Sequence, residues 1–127
     1  MDTAAGRILV VDDDPSLLKL MTAYLSRLGY QVVACDNSEE AWALVQAAPS
    51  LYSLALVDLN MPGMRGEELA RRILACNATI RLIMASGYPS ELSGMEALEG
   101  RVSFLHKPFA PKELAKAVGE QSSPRAD

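Results

Sequence analysis

Two short apolar runs in this chain each end in an acid: Ile8-Leu9-Val10-Val11 stops at Asp12-Asp13-Asp14, and Leu54-Ala55-Leu56-Val57 stops at Asp58. Continuous runs this short, rich in β-branched residues, read as strands buried on both faces of a parallel sheet. In an open parallel sheet the residues just beyond the strand C-termini converge on one edge. Two further apolar segments, Ile80–Ala85 and Val102–Leu105, lead into Ser86 and Lys107, so Asp12, Asp13, Asp58, Ser86 and Lys107 are expected together. Three carboxylates at such an edge repel, at a cost on the order of 4 kcal/mol for each pair 4 Å apart at an effective dielectric near 20. A cation must therefore sit among them. Carboxylates, a backbone carbonyl and water are hard oxygen ligands, which favour Mg2+ over zinc when no His or thiolate joins the set. Magnesium in turn suggests phosphate chemistry.

The elements that position these residues alternate along the chain. Asp14 can cap a helix with Pro15 in its first turn, and Leu17, Met21, Tyr24, Leu25 and Leu28 recur at helical spacing until Gly29. Val32–Cys35 reads as a second strand, and Ser38 opens a second helix carrying Ala41, Leu44, Val45 and Ala48 before Pro49. After Asp58, a loop from Leu59 to Gly66 precedes a third helix, on which Glu67-Arg71 and Glu68-Arg72 pair at i,i+4 while Leu69 and Ile73 face inward. Ser90 to Gly100 is expected to form a short fourth helix, the softest element, and Pro111 starts a fifth with Leu114, Ala117 and Val118 on its inner face. Five strands alternating with five helices predict an α/β three-layer sandwich with right-handed crossovers.

Composition narrows the function classes. The 127 residues suit one domain, and 50% apolar with 22% charged residues is a globular profile. A net charge of −4 without a block of Lys or Arg offers no electrostatic footprint for nucleic acid, so direct DNA binding by this chain is not expected. Cys35 and Cys76 lack the spacing of a redox or zinc site and both read as small buried hydrophobes. Met1–Gly6 has no signal-peptide pattern and no apolar run approaches bilayer length, so a cytoplasmic location is expected. Residues 1–6 read as a lead-in, 7–120 as the domain and 121–127 as a tail.

Four segments together resemble the receiver domains of bacterial two-component response regulators: Ile8-Leu9-Val10-Val11-Asp12-Asp13-Asp14-Pro15, Val57-Asp58-Leu59-Asn60-Met61-Pro62-Gly63-Met64, Ala85-Ser86-Gly87 and Phe104-Leu105-His106-Lys107-Pro108-Phe109. Their order and spacing cover residues 7 to 120. The resemblance implies a flavodoxin-like fold with strand order 2-1-3-4-5, and Asp58 as nucleophile and phosphoacceptor. It further implies that Asp12 or Asp13 and the backbone carbonyl of Asn60 help to hold Mg2+, that Lys107 and Ser86 contact the phosphoryl oxygens, and that the Lys107-Pro108 peptide is cis. Ser86 would move inward on phosphorylation and Phe104 into the space left, altering the surface around strands four and five. A core phenylalanine would look the same in sequence as this switch aromatic. His106 matches no phosphotransfer pattern.

Met84-Ala85-Ser86-Gly87-Tyr88 and the Phe104–Phe109 segment look most like receivers fused to hybrid sensor histidine kinases. The partner implied is a sensor histidine kinase or a histidine phosphotransfer domain, with the chain a monomer or weak dimer, and with no contact to membrane. A fragment of such a kinase and a free-standing receiver are both compatible with the sequence; a DNA-binding regulator would need a further domain. The rival from another class is a Mg2+-dependent aspartyl-nucleophile phosphatase or phosphotransferase. Enzymes of the haloacid-dehalogenase type carry a second acid two residues after the nucleophile, where this chain has Asn60, so turnover of small substrates is not expected and self-catalysed phosphorylation and dephosphorylation are. A flavin-binding domain of the same fold is disfavoured by the carboxylate cluster, which would repel a flavin phosphate.

Overall fold

The computed structural model describes residues 6–77, 79–87 and 100–122. Among the described residues the strands are β1 (Arg7–Val11), β2 (Val32–Cys35), β3 (Tyr52–Asp58), β4 (Arg81–Ser86) and β5 (Val102–His106), and the α-helices are α1 (Pro15–Arg27), α2 (Ser38–Ala47), α3 (Gly66–Cys76) and α4 (Pro111–Ser122). The strands form one parallel sheet in the order β2-β1-β3-β4-β5. The reversal of strand order between β1 and β3 puts the carboxyl ends of these two strands side by side, with Val11 paired to Val57.

Side chains alternate across the sheet. Leu9, Val11, Ala55, Val57, Leu82 and Met84 pack on one face against Ala41 and Val45 of α2 and Leu69, Ala70 and Ile73 of α3. Ile8, Val10, Leu54, Leu56, Ile83 and Ala85 pack on the other against Met21 and Leu25 of α1 and Leu114 and Val118 of α4. Both faces of β1, β3 and β4 are thereby covered, which is why these strands read as unbroken apolar runs rather than alternating ones.

Local chemistry sets the element ends. Asp14 is the N-cap of α1, accepting from the amides of Ser16 at 3.0 Å and Leu17 at 3.2 Å, with Pro15 as the first helical residue. Beyond the Leu28 C-cap, Gly29 with its φ of 103° admits the left-handed turn that closes the last carbonyls: Gly29 N donates to Ser26 O and Tyr30 N to Leu25 O. Asn37 caps α2 through Glu40 N at 2.7 Å. At the opposite end of the sheet from the carboxylates, buried Asn77 donates to Pro49 O and Tyr52 O and accepts from Thr79 N and Ile80 N, while Arg101 donates to the carbonyls of Leu74, Asn77 and Ile80. This network ties the end of α3 to the starts of β3, β4 and β5.

Several sequence expectations need adjustment. The helix expected across Ser90 to Gly100 lies outside the described residues except for Gly100, a turn residue with φ 91°. Helix α4 runs to Ser122, beyond its last buried residue, Val118. Cys35 is buried as expected, but Cys76 is exposed: it is the last residue of α3, where the chain turns so that Asn77 enters the interior instead. Among the described residues, no helix is long and apolar enough to cross a membrane.

Candidate functional site

Asp12 follows β1 directly and Asp58 ends β3, so the register of the two strands delivers both carboxyls to one sheet edge. Asp12 is 1% exposed and Asp58 6%, whereas Asp13, one residue on, reaches solvent. Ligand oxygens of Asp12, Asp13 and Asp58 all lie within 4.8 Å of one another. Lys107, just past β5, reaches across the edge with its Nζ 2.9 Å from Asp12 Oδ2 and 3.4 Å from Asp58 Oδ1. Backbone amides hold the acids from below: Asp14 N donates to Asp12 Oδ1 at 2.9 Å and Asn60 N to Asp58 Oδ1 at 3.2 Å.

Neighbouring loops lock this edge. Leu59 N donates to Ala85 O at 2.9 Å and Lys107 N to Ser86 O at 2.8 Å, so the chain beyond β3 and β5 is tied to the end of β4. Ser86, the last residue of β4, is buried. The Lys107-Pro108 peptide is cis, as the family pattern implied. Beside Lys107 an open cleft of about 460 Å³ is lined by Asp14, Leu17, Gly87, Lys107, Pro108 and Phe109.

Burial dominates the electrostatics of Asp58, raising its carboxyl above the ordinary value of 3.8; the neighbouring Asp12 charge adds to this, and Lys107 and the Asn60 amide oppose it without cancelling it. For Lys107, burial works against the ammonium, but Asp12 and then Asp58 outweigh it and hold its pKa above 10.5. Three carboxylates and one ammonium leave two negative charges uncompensated, the charge of one divalent cation. The donors are all hard oxygens, the chemistry that suits a magnesium-type ion rather than a thiophilic one. The arrangement can therefore hold a divalent cation next to the buried Asp58 carboxylate.

The structure thus brings Asp12, Asp13, Asp58 and Lys107 together and sets Ser86 and Asn60 on the flanking strand end and loop. Phe104 lies on edge strand β5, paired with Met84, and is 39% exposed, which sets aside the reading of it as a core residue. His106 is exposed. Gly66 was not singled out from sequence: a Cβ there would stand 2.3 Å from Asp58 O and 2.8 Å from Leu59 Cα, so only glycine lets α3 begin against the backbone of Asp58. The available signal was a glycine opening a helix shortly after an acid-terminated strand.

Comparison with known proteins agrees with this geometry. Residues 8–119 match the family model of the response regulator receiver domain. The chain is 37% identical over 120 residues to the DNA-binding response regulator MtrA of Mycolicibacterium smegmatis, a match covering 93% of this chain and 51% of MtrA. It spans about half the length, or less, of the curated relatives it matches. Among solved structures it resembles the receiver domain of the hybrid histidine kinase CckA, with TM-score 0.80, 29% identity and coverage of 93% and 100% of the two chains. It also resembles the response regulator TrrA of Thermotoga maritima in complex with Mg(2+)-BeF, with TM-score 0.80, 29% identity and coverage of 91% and 98%. Sequence motifs, strand order and family match converge: the chain belongs to the response regulator receiver domains of two-component systems.

Proposed function

We propose that Asp58 is the phosphoacceptor of this receiver and takes a phosphoryl group from a phosphohistidine donor. The observation that carries this reading is the Asp58 carboxylate itself, buried at the end of β3 with Asp12 beside it and the Lys107 ammonium 3.4 Å away. With Oδ1 engaged by Asn60 N and Lys107, attack is assigned to Oδ2. The new O–P bond forms as the P–N bond to the donor imidazole breaks, the electron pair going to the ring nitrogen, which takes a proton from solvent. Asp12, Asp13, Asp58 and the Asn60 carbonyl are the groups that would hold Mg2+, which when bound neutralises charge on the phosphoryl oxygens. The Mg(2+)-BeF complex of TrrA supports that assignment.

Lys107 contributes a second positive charge, leaving Asp12 and Asp58 to meet the incoming phosphoryl group. The Ser86 hydroxyl donates to a phosphoryl oxygen. The bias this places on the end of β4 shifts exposed Phe104 and the surface around β4 and β5 between two packings. A sensor histidine kinase or a histidine phosphotransfer domain supplies the phosphoryl group in the cytoplasm, a partner class supported by the likeness to the CckA receiver. The domain acts as a monomer or weak dimer. It catalyses its own phosphorylation and hydrolysis, and Asn60, in place of an acid, keeps it from turning over small substrates.

Intact-mass analysis after incubation with acetyl phosphate tests this reading. A gain of one phosphoryl mass that requires Mg2+ and is absent in Asp58→Ala is the expected result. An equal gain in the variant would remove Asp58 from its role.

A further inference from the structure

The loop between β3 and α3 is tied at both ends by its own backbone, through Leu59 N to Ala85 O and Gly66 N to Leu59 O at 3.3 Å. Its middle is held by a different element. Glu39, in the first turn of α2 and 25 residues away in sequence, accepts a hydrogen bond from Met64 N at 3.0 Å. Gly63 turns the chain at this point with φ 77°, and a Cβ on it would stand 2.8 Å from the same Glu39 oxygen. The positive φ favours glycine there, and a Cβ would also displace the Glu39 carboxylate from its place against the loop. One residue before Glu39, buried Ser38 places its Oγ 4.0 Å from Met61 Sδ, a second contact from the same turn to the same loop.

The anchor is firm. Asn37 caps α2, the acids in its first turn suit the helix dipole, and the packing of α2 on α3 includes Arg72 over the Trp42 ring at 5.9 Å. Asn60, whose carbonyl is a candidate metal ligand, is exposed at the start of this loop, where its own backbone N–H donates to Asp58 Oδ1. Between the backbone bonds of Leu59 and Gly66, the path of the chain after Asn60 is held by buried Met61 and by the Glu39 bond to Met64.

We propose that Glu39 is a positioning residue for Mg2+: by tying Met64 to α2 it fixes the loop that carries the Asn60 carbonyl, and so sets the affinity of the Asp12, Asp13 and Asp58 cluster for the ion. This rests on the reading of that cluster as the metal site. A bond from a backbone amide to an ionised carboxylate is stronger than a neutral one, but this one is exposed, so its loss has a moderate effect.

The test uses 15N-labelled parent chain, Glu39→Gln and Glu39→Ala, titrated with Mg2+ alone and followed by amide NMR, with hydrogen exchange of Met64 N–H measured beforehand. In Glu39→Ala the Met64 amide loses protection and the Mg2+ dissociation constant rises about threefold to tenfold, the range expected for one hydrogen bond of this kind. Glu39→Gln, which keeps an acceptor oxygen, stays closer to the parent in both. With acetyl phosphate, the Mg2+ concentration for half-maximal phosphorylation of Glu39→Ala rises by the same factor while the rate at saturating Mg2+ stays near that of the parent. A general disturbance of the fold would lower the saturated rate as well, and that result overturns the proposal. So does a Glu39→Ala chain that binds Mg2+ as the parent does. If the parent itself shows no response to Mg2+, the metal-site reading fails and this inference with it.

Discussion

Replacing Asp58 by Asn should make the metal-free domain more stable while removing its function. At an effective dielectric near 20, the Asp12 charge, within 4.8 Å, costs Asp58 about 3.5 kcal/mol or more, and the Lys107 ammonium at 3.4 Å contributes about 5 kcal/mol of attraction. These nearly cancel, so burial decides the sign, and an ion 6% exposed carries a penalty of several kcal/mol. Asn keeps the shape and removes the charge. The expected gain is on the order of 2 kcal/mol, which is about 7 °C in Tm for a domain of this size. The pH dependence follows from the raised carboxyl: between 3.8 and its higher folded value, the folded state binds more protons than the unfolded state, so parent stability falls as pH rises through that window. Thermal unfolding by circular dichroism, in EDTA and in millimolar Mg2+, from acid to neutral pH, reads all of this. The gap between Asp58→Asn and parent should be absent below pH 3.8, open above it, and narrow when Mg2+ is added, since the ion stabilises the parent more. An Asp58→Asn variant less stable than the parent in EDTA at neutral pH, or a gap unchanged across the pH range, would refute the assignment of the dominant cost to burial of the charge.

Other perturbations probe what surrounds the acids. Gly66→Ala pushes a Cβ into Asp58 O, and since both sides are backbone the strain should cost about 1–3 kcal/mol and slow phosphorylation; a variant with unaltered Tm and rate would show that the close approach is not felt. Asn77→Ala leaves the carbonyls of Pro49 and Tyr52 and the amide of Ile80 without their side-chain partner, at about 2–4 kcal/mol, yet folded variant should accept phosphoryl groups at the parent rate because this network lies at the far end of the sheet. Urea melts and phosphorylation kinetics together separate the two effects. A thiol reagent at neutral pH should modify one cysteine quickly: Cys76 is exposed, while Cys35 is buried and its thiol is pushed up to about 12 by that burial and by Glu40 and Asp36. Two fast thiols in the folded protein would contradict the placement of Cys35.

What the residues alone could determine was local in origin. Unbroken apolar runs ending in Asp12 and Asp58 identified strands buried on both faces, and Asp14-Pro15 and Gly29 marked the ends of α1 through capping rules that act over a few residues. The convergence of acids at one edge followed from parallel topology, and the fold class with it. The individual side-chain environments needed the assembled sheet. Lys107 pairs with Asp12 across 95 residues of sequence, and neighbouring Asp12 and Asp13 part company, one buried and one in solvent, because they leave the strand in different directions. Sequence could not distinguish a packed Phe104 from an exposed one, since its burial depends on what covers edge strand β5 rather than on its own run. Gly66 against Asp58 O, Glu39 on Met64 N and the Asn77–Arg101 network all join segments distant in the chain. Periodicity and capping are encoded within a few residues and can be read there; contact distances, burial and the charge balance they set exist only once the strands are in register.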